Sequence, residues 1–315
     1  MARKFEAELC VPCANKLGEC PLWDDSRQKL CWLDIEGRRF WRLEPLSGSL
    51  EDFEMPARAG SFCVNVDGEY VFAFEDGFSF YSPECGSRER ITPEFEPGLR
   101  TRLNDGRVDR QGRFVVGGHV EKGSEPITSV YRLNADLSVE RLYEGVRCSN
   151  SICFAADGSM FFSDTMATTP EIWRFGDYPS SGMCADPEVF ARPEGRPDGS
   201  VIDSEGFLWN AEHGSGRVVR YGGDGAVDIV VSVPVPFTTC AAFGGEDLRT
   251  LYITDASVKR LSRKRRDEYP PGYLGGLFKV HLPVQGLPEA RFLGRSAASR
   301  AAARAPAAAC EEGGQ

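Results

Sequence analysis

The sequence predicts an all-β fold: a six-bladed β-propeller with four antiparallel strands per blade. Three observations predict it. An Asp-containing turn between two short apolar runs recurs six times, at Asp25, Asp67, Asp109, Asp157, Asp203 and Asp247, with spacings of 42, 42, 48, 46 and 44 residues. A third strand-like run follows each copy, as at residues 39–43, 129–133 and 217–221, and a shorter fourth follows several, as at 140–143 and 228–231. The apolar runs have strand length and lack the helical period of 3.6 residues. A period of about 40–50 residues carrying four strands is the signature of a propeller blade.

Taken in order, the inner and second strands of the six units lie at 22–34, 63–73, 108–116, 152–163, 201–209 and 241–254. An early strand at 4–9 is expected to join the last blade and close the ring, which removes an open sheet edge. No linker interrupts residues 5–294, so 1–294 are expected to form one domain. Residues 295–315 turn to Ala and Arg with no apolar face to bury, and are expected to be a disordered tail. Trp23, Trp32, Trp41, Trp173 and Trp209 recur in strands and are expected to pack between blades.

Composition narrows the function. The 34 Gly and 20 Pro suit a chain of many tight turns. A net charge of −10 argues against nucleic acid as a partner. No stretch reaches the roughly 18 apolar residues of a membrane helix, and charges occupy the N-terminal positions where a signal peptide is apolar. A soluble cytoplasmic protein, monomeric or weakly homo-oligomeric, is expected. The 11 Cys are scattered, and the Cys10/Cys13 pair lacks the second pair a zinc site needs, so reduced thiols are expected.

Chemistry concentrates at one position of the repeat. The innermost strand of each blade lines the central channel, and its first residues gather at one mouth. Five to seven residues ahead of the turn anchors stand Glu19, Asn104, Asn150 and Asp198, while blades two and six offer Ser61-Phe62 and Pro236-Phe237-Thr238. Each polar residue alone is an ordinary turn or strand-start residue. In shared phase, two carboxylates and two carboxamides would converge in a narrow channel, and a divalent cation relieves their repulsion. Oxygen donors without Cys or His favour Ca²⁺, Mg²⁺ or Mn²⁺, with Zn²⁺ or Fe²⁺ also open. No Gly-x-Ser-x-Gly elbow occurs, which speaks against an acyl-enzyme route.

Five runs carry a family resemblance: LGECPLW (17–23), RLNDGRVDRQGR (102–113), CSNSI (148–152), RPDGSVIDSEGFLW (196–209) and TCAAFGG (239–245). They fall in five blades, and the resemblance spans about residues 5–294. The chain resembles the regucalcin/senescence-marker-protein and gluconolactonase family of sugar lactonases, and around Asp198 it looks more like the bacterial-type aldonolactonases than like animal regucalcin. The resemblance implies Glu19, Asn150 and Asp198 as metal ligands, and Arg102 and Asn104 as contacts to sugar hydroxyls. It also offers His119 and Glu121 as further substrate contacts. Two departures stand out: Cys20 replaces the usual Gly, and Gly118-His119 replaces Thr-Met.

The implied reaction is hydrolysis of an aldonolactone by water, with Asp198 taking the proton of the attacking water. The alternative is a calcium-binding regulatory propeller without significant turnover. Asp105, beside Asn104, is read as a supporting neighbour of the site or a further ligand, and Asp34, Asp164 and Asp255 as turn formers, with contact of one of them to the channel as the alternative. His213 is read as a surface loop residue and His281 as structural.

Overall fold

The computed structural model describes residues 2–257 and 262–295. Its strands form six small sheets, one per blade. The innermost strands are Gly18–Asp24, Ala59–Val64, Thr101–Val108, Ser149–Phe154, Arg196–Ile202 and Thr238–Gly244. Each packs against the next, and the last packs against the first, so the ring closes. The expected fold class is the observed one. The tail expected at 295–315 falls, beyond Arg295, outside the described residues.

The turn after each innermost strand explains the repeat. Asp24, Asn65, Asp109 and Asp203 each accept, through Oδ1, the backbone N–H of the residue two places on, at 2.9–3.1 Å. Ala155 and Gly245 fill the same place in blades four and six, where the N–H of the third residue on still bonds back to their carbonyls. The Asp anchors of the sequence therefore sit up to two residues off the true turn position in four blades. With the turn corrected, Glu19, Asn104, Asn150 and Asp198 all stand five residues ahead of it.

Apolar layers between neighbouring blades form the core. Trp23, Leu30 and Trp32 of blade one meet Tyr252 and Leu277 of blade six. Trp209 of blade five meets Phe243 of blade six edge-on, with ring centroids 5.5 Å apart. Trp41 stacks on Trp32 at 5.8 Å. Trp23, Trp32 and Trp209 thus pack between sheets as expected, whereas Trp41 stacks on its cross-strand partner within the sheet of blade one.

Closure differs from the expectation of a single N-terminal strand at 4–9. That stretch splits at buried Ala7. Arg3–Glu6 pairs in parallel with Val227–Ser232 as a fifth strand of blade five. Glu8–Val11 pairs antiparallel with Leu277–His281 and completes blade six. The Ala7 N–H bonds to the Ser232 carbonyl at 2.9 Å, which fixes the crossing point between the two blades. Among the described residues blade six has three strands of its own in the later sequence, and the N-terminal strand supplies its outer edge.

Residues 283–295 run beneath the ring, an element the sequence did not suggest. The Gln285 carbonyl accepts the Ser204 N–H of blade five, and Leu293 and Phe292 bond blades three and two. From this strap Glu289 reaches the buried guanidinium of Arg107, on the inner strand of blade three.

Candidate active site

Every innermost strand breaks register with its neighbour near its start. The irregularities lie between Glu19 and Leu22, Ala59 and Ser61, Leu103 and Gly106, Asn150 and Cys153, Pro197 and Ser200, and Thr238 and Ala241. A bulge re-aims side chains and interrupts pairing. Six bulges at one level turn the channel-lining positions inward together. Two of them need a left-handed residue, Cys20 at φ 49° and Ser151 at φ 58°. Gly would take this conformation without strain, so Cys20 costs on the order of 1 kcal/mol there. At Gly199 an added Cβ would lie 2.2 Å from Cys240 Sγ, so only Gly lets the inner strands of blades five and six approach this closely.

Glu19, Arg102, Asn104, Asp105, Asn150 and Asp198 are all buried. On one side they form a hydrogen-bonded arc. Arg102 Nη1 donates to Asn104 Oδ1 at 2.6 Å, and Asn104 Nδ2 donates to Asn150 Oδ1 at 3.1 Å. Asn150 Nδ2 donates to Thr165 Oγ1 at 2.7 Å, and Thr165 Oγ1 donates to the Pro197 carbonyl, beside Asp198, at 2.6 Å. The other side is acidic. Burial, then the charge of Asp105, pushes the Glu19 carboxyl up to about 8. Burial, then Glu19 and Asp105, holds Asp198 well above the carboxylate range. Burial raises Asp105 to about 6, although the Ile152 N–H donates to its Oδ2 at 2.8 Å. Arg102 counters Glu19 and Asp198 only weakly, as the last of the contributions to each.

Among the described residues no three His, Cys, Asp or Glu side chains form a metal-holding group by themselves. The donor set here is mixed, with two carboxylates, Glu19 and Asp198, and the amide oxygen of Asn150. Buried carboxylates that repel one another and lack cationic partners take up either protons or a cation. Oxygen donors of this kind fit a hard divalent ion.

A second ring of residues fixes the backbone ahead of the site. Asp34, opposite Gly18, accepts the N–H groups of Lys16 and Leu17 at 3.0 and 2.9 Å. Asp164, opposite Ser149, accepts those of Arg147 and Cys148 at 3.0 Å each. Glu212, opposite Pro197, accepts the Gly195 N–H at 2.8 Å. Asp34 and Asp164 therefore do form turns, and the turns they form hold Glu19 and Asn150 in place. Asp255 accepts the Gly275 N–H at 2.7 Å.

His119 pairs in register with Arg102 and lies at the mouth. Burial, then Arg102, lowers it to about 4, so the imidazole is neutral at pH 7, and its buried Nδ1 has no hydrogen-bond partner among the described residues. Gly118 precedes it because an added Cβ would fall 1.8 Å from Thr128 Oγ1. Glu121 lies 3.9 Å from Arg102 Nε, but Arg58 holds it, with Nη1 at 2.5 Å and Nη2 at 3.1 Å. That pairing lowers its pKa. Arg58 also binds Glu75 of blade two and Glu36 of blade one, so one guanidinium ties three blades together at the mouth.

One expectation is corrected. His213 is no surface loop residue. It ends the second strand of blade five, Leu208–His213, with its Nδ1 3.5 Å from Asp198 Oδ2. Its Gly-rich neighbours, Gly214 and Gly216, mimic a loop, yet buried Glu212 carries the strand two residues further. Sequence reasoning also missed Arg58 and Thr165.

A family model described as SMP-30/Gluconolactonase/LRE-like region matches residues 17–257. The chain belongs to the SMP-30/gluconolactonase family. It is 39% identical over 298 residues to an L-arabinolactonase of Azospirillum brasilense, covering 92% of this chain and 96% of the relative. It is 33% identical over 280 residues to a 6-deoxy-6-sulfogluconolactonase of Pseudomonas putida, covering 88% and 95%. Among solved structures it is similar to a calcium-binding protein, regucalcin, from Agrobacterium tumefaciens, with a TM-score of 0.85, 28% identity and coverage of 93% and 99%. Within this SMP-30/gluconolactonase chain, all five resembling runs of the sequence contribute to the inner ring.

Proposed function

We propose that this chain hydrolyses a sugar lactone, of the aldonolactone class, to the aldonic acid with the help of one divalent cation. The observation that carries the proposal is the meeting of buried Glu19, Asp105 and Asp198 with the Arg102–Asn104–Asn150 arc at one channel mouth. Similarity to an arabinolactonase and a sulfogluconolactonase supports the substrate class. Glu19, Asn150 and Asp198 would hold the cation. When bound, such an ion supplies Lewis-acid polarisation of a carbonyl and lowers the cost of negative charge on its oxygen.

The remaining work falls to the side chains. Asp198, ionised where a cation rather than a proton offsets the acidic cluster, accepts a proton as water adds to the carbonyl carbon, which makes it the general base. The bond from that carbon to the ring oxygen then breaks, and the proton ends on the released hydroxyl. Arg102 and Asn104 bind ring hydroxyls and hold the lactone in register with the water. Neutral His119 offers a hydrogen bond through its free Nδ1. Glu121, held in place by Arg58, accepts one from a hydroxyl at the rim. Bulges and buried packing keep these groups fixed before substrate arrives, which is the preorganisation that electrostatic catalysis needs.

The test is hydrolysis of a panel of aldonolactones, followed with a pH indicator, by protein stripped with chelator and resupplied with Ca²⁺, Mn²⁺, Mg²⁺ or Zn²⁺. Metal-restored turnover is expected. Tight calcium binding with no turnover above the spontaneous rate on any lactone would instead favour a calcium-binding propeller without turnover; the similar regucalcin is described as a calcium-binding protein.

A further inference from the structure

His213 takes no part in the scheme above, yet it stands beside the residue on which the scheme depends. Its Nδ1 lies 3.5 Å from Asp198 Oδ2. The surroundings hold the imidazole there. His213 pairs across the strand with Arg196, two residues before Asp198. Its ring leans on Phe237, with centroids 5.3 Å apart and planes at 32°. The preceding residue, Glu212, is fully buried, accepts hydrogen bonds from Arg217 and Tyr221, and its carbonyl accepts the Thr238 hydroxyl at 3.1 Å.

The repeat gives a second, independent indication. His213 falls one residue beyond the position opposite Pro197, as Thr165 falls one beyond Asp164 and His119 one beyond Gly118. Thr165 receives a hydrogen bond from Asn150, and His119 sits opposite Arg102. In blades three, four and five this position therefore addresses a site residue of its own blade.

The main chain of Asp198 is fixed, because its carbonyl accepts Ser151 Oγ at 2.8 Å and Asn210 Nδ2 at 3.0 Å. The carboxylate meets the Gly199 N–H and, at 3.5 Å, the His213 ring. We propose that His213 is a positioning residue for Asp198, engaging one carboxylate oxygen through Nδ1–H and leaving the other to the reacting water and the cation. This inference rests on the hydrolase reading. Hydrogen bonds of this kind are often loose before substrate binds and shorten in the reacting complex.

The experiment compares His213→Ala, His213→Phe and His213→Asn with the parent protein. It reads kcat and KM on the best lactone of the panel, Mn²⁺ affinity of chelator-stripped protein by calorimetry, and the melting temperature. The Ala and Phe variants are expected to lose about tenfold in kcat and about tenfold in Mn²⁺ affinity, with KM and melting little changed. The Asn variant, whose amide can donate in a similar direction, is expected to recover most of both. Changes of kcat and Mn²⁺ affinity below about twofold, or an Asn variant no better than Ala, overturn the inference. So does a rise in KM alone, which would make His213 a substrate contact. If Ala fails to fold, the Phe and Asn variants carry the comparison. If the parent hydrolyses no lactone, the hydrolase reading falls, and the Mn²⁺ titration alone decides for or against His213.

Discussion

Replacing Glu19 by Gln should make the metal-free protein more stable while abolishing its activity. Glu19 is buried, and its carboxyl rises from 4.5 to about 8 on folding, first through burial and then through Asp105. Between those two values the folded state binds the proton that the unfolded chain releases. Stability contributed by this group is therefore greatest below pH 4.5 and falls as pH rises toward 8. At 1.36 kcal/mol per pH interval of one, the ceiling of the penalty is about 5 kcal/mol above pH 8. Asp105 and Asp198 share the same repulsion, so about 2 kcal/mol is a realistic gain for Glu19→Gln at pH 8.5. For a chain of this size that raises Tm by roughly 3 °C.

The assay is thermal unfolding of chelator-treated parent and variant from pH 5 to 9. The gain should vanish near pH 5, and saturating Mn²⁺ should reverse the order by stabilising only the parent. A variant less stable than the parent at pH 8.5, or a gain of equal size at every pH, would refute the acidic-cluster reasoning.

Asp164→Ala removes the acceptor for the N–H groups of Arg147, Cys148 and Met166, and is expected to cost about 2–4 kcal/mol in urea unfolding together with most activity. Arg58→Met should free Glu121 and raise KM about fivefold with kcat nearly unchanged, measured by steady-state kinetics. Trp209→Ala should cost about 3–5 kcal/mol, since the indole is fully buried and its Nε1 donates to Asp203 at 2.8 Å.

The ring was readable because each blade must make the same turn, and a turn has a strict chemistry. Where Asp24, Asp109 and Asp203 supply the accepting oxygen, the signal lies at or beside the true position. Ala155 and Gly245 offer only backbone at that place, and Asp157 and Asp247, two residues on, accept the N–H groups of Ser159 and Arg249 in the same turns, so blades four and six drew the anchor there. Glu19, Asn104, Asn150 and Asp198 stood out because packing alone would place an apolar side chain at a core-facing strand start. Arg58 did not, because blade two carries Gly60 at the site position and its contribution arrives two residues earlier. His213 was hidden by the glycines that follow it. Only the pairing register, with His213 opposite Arg196, reveals that the strand reaches the mouth. The split of the N-terminal strand depends on which edges blades five and six leave open, a long-range matter that local pattern does not encode.

The most direct measurement follows lactone hydrolysis while Mn²⁺ is titrated into chelator-stripped protein. Activity should rise linearly to one equivalent of metal and then level, and Asp198→Ala should show neither the rise nor stoichiometric binding. Full activity in stripped protein, or an unchanged titration in Asp198→Ala, would contradict a single hydrolytic site built from Glu19, Asn150 and Asp198.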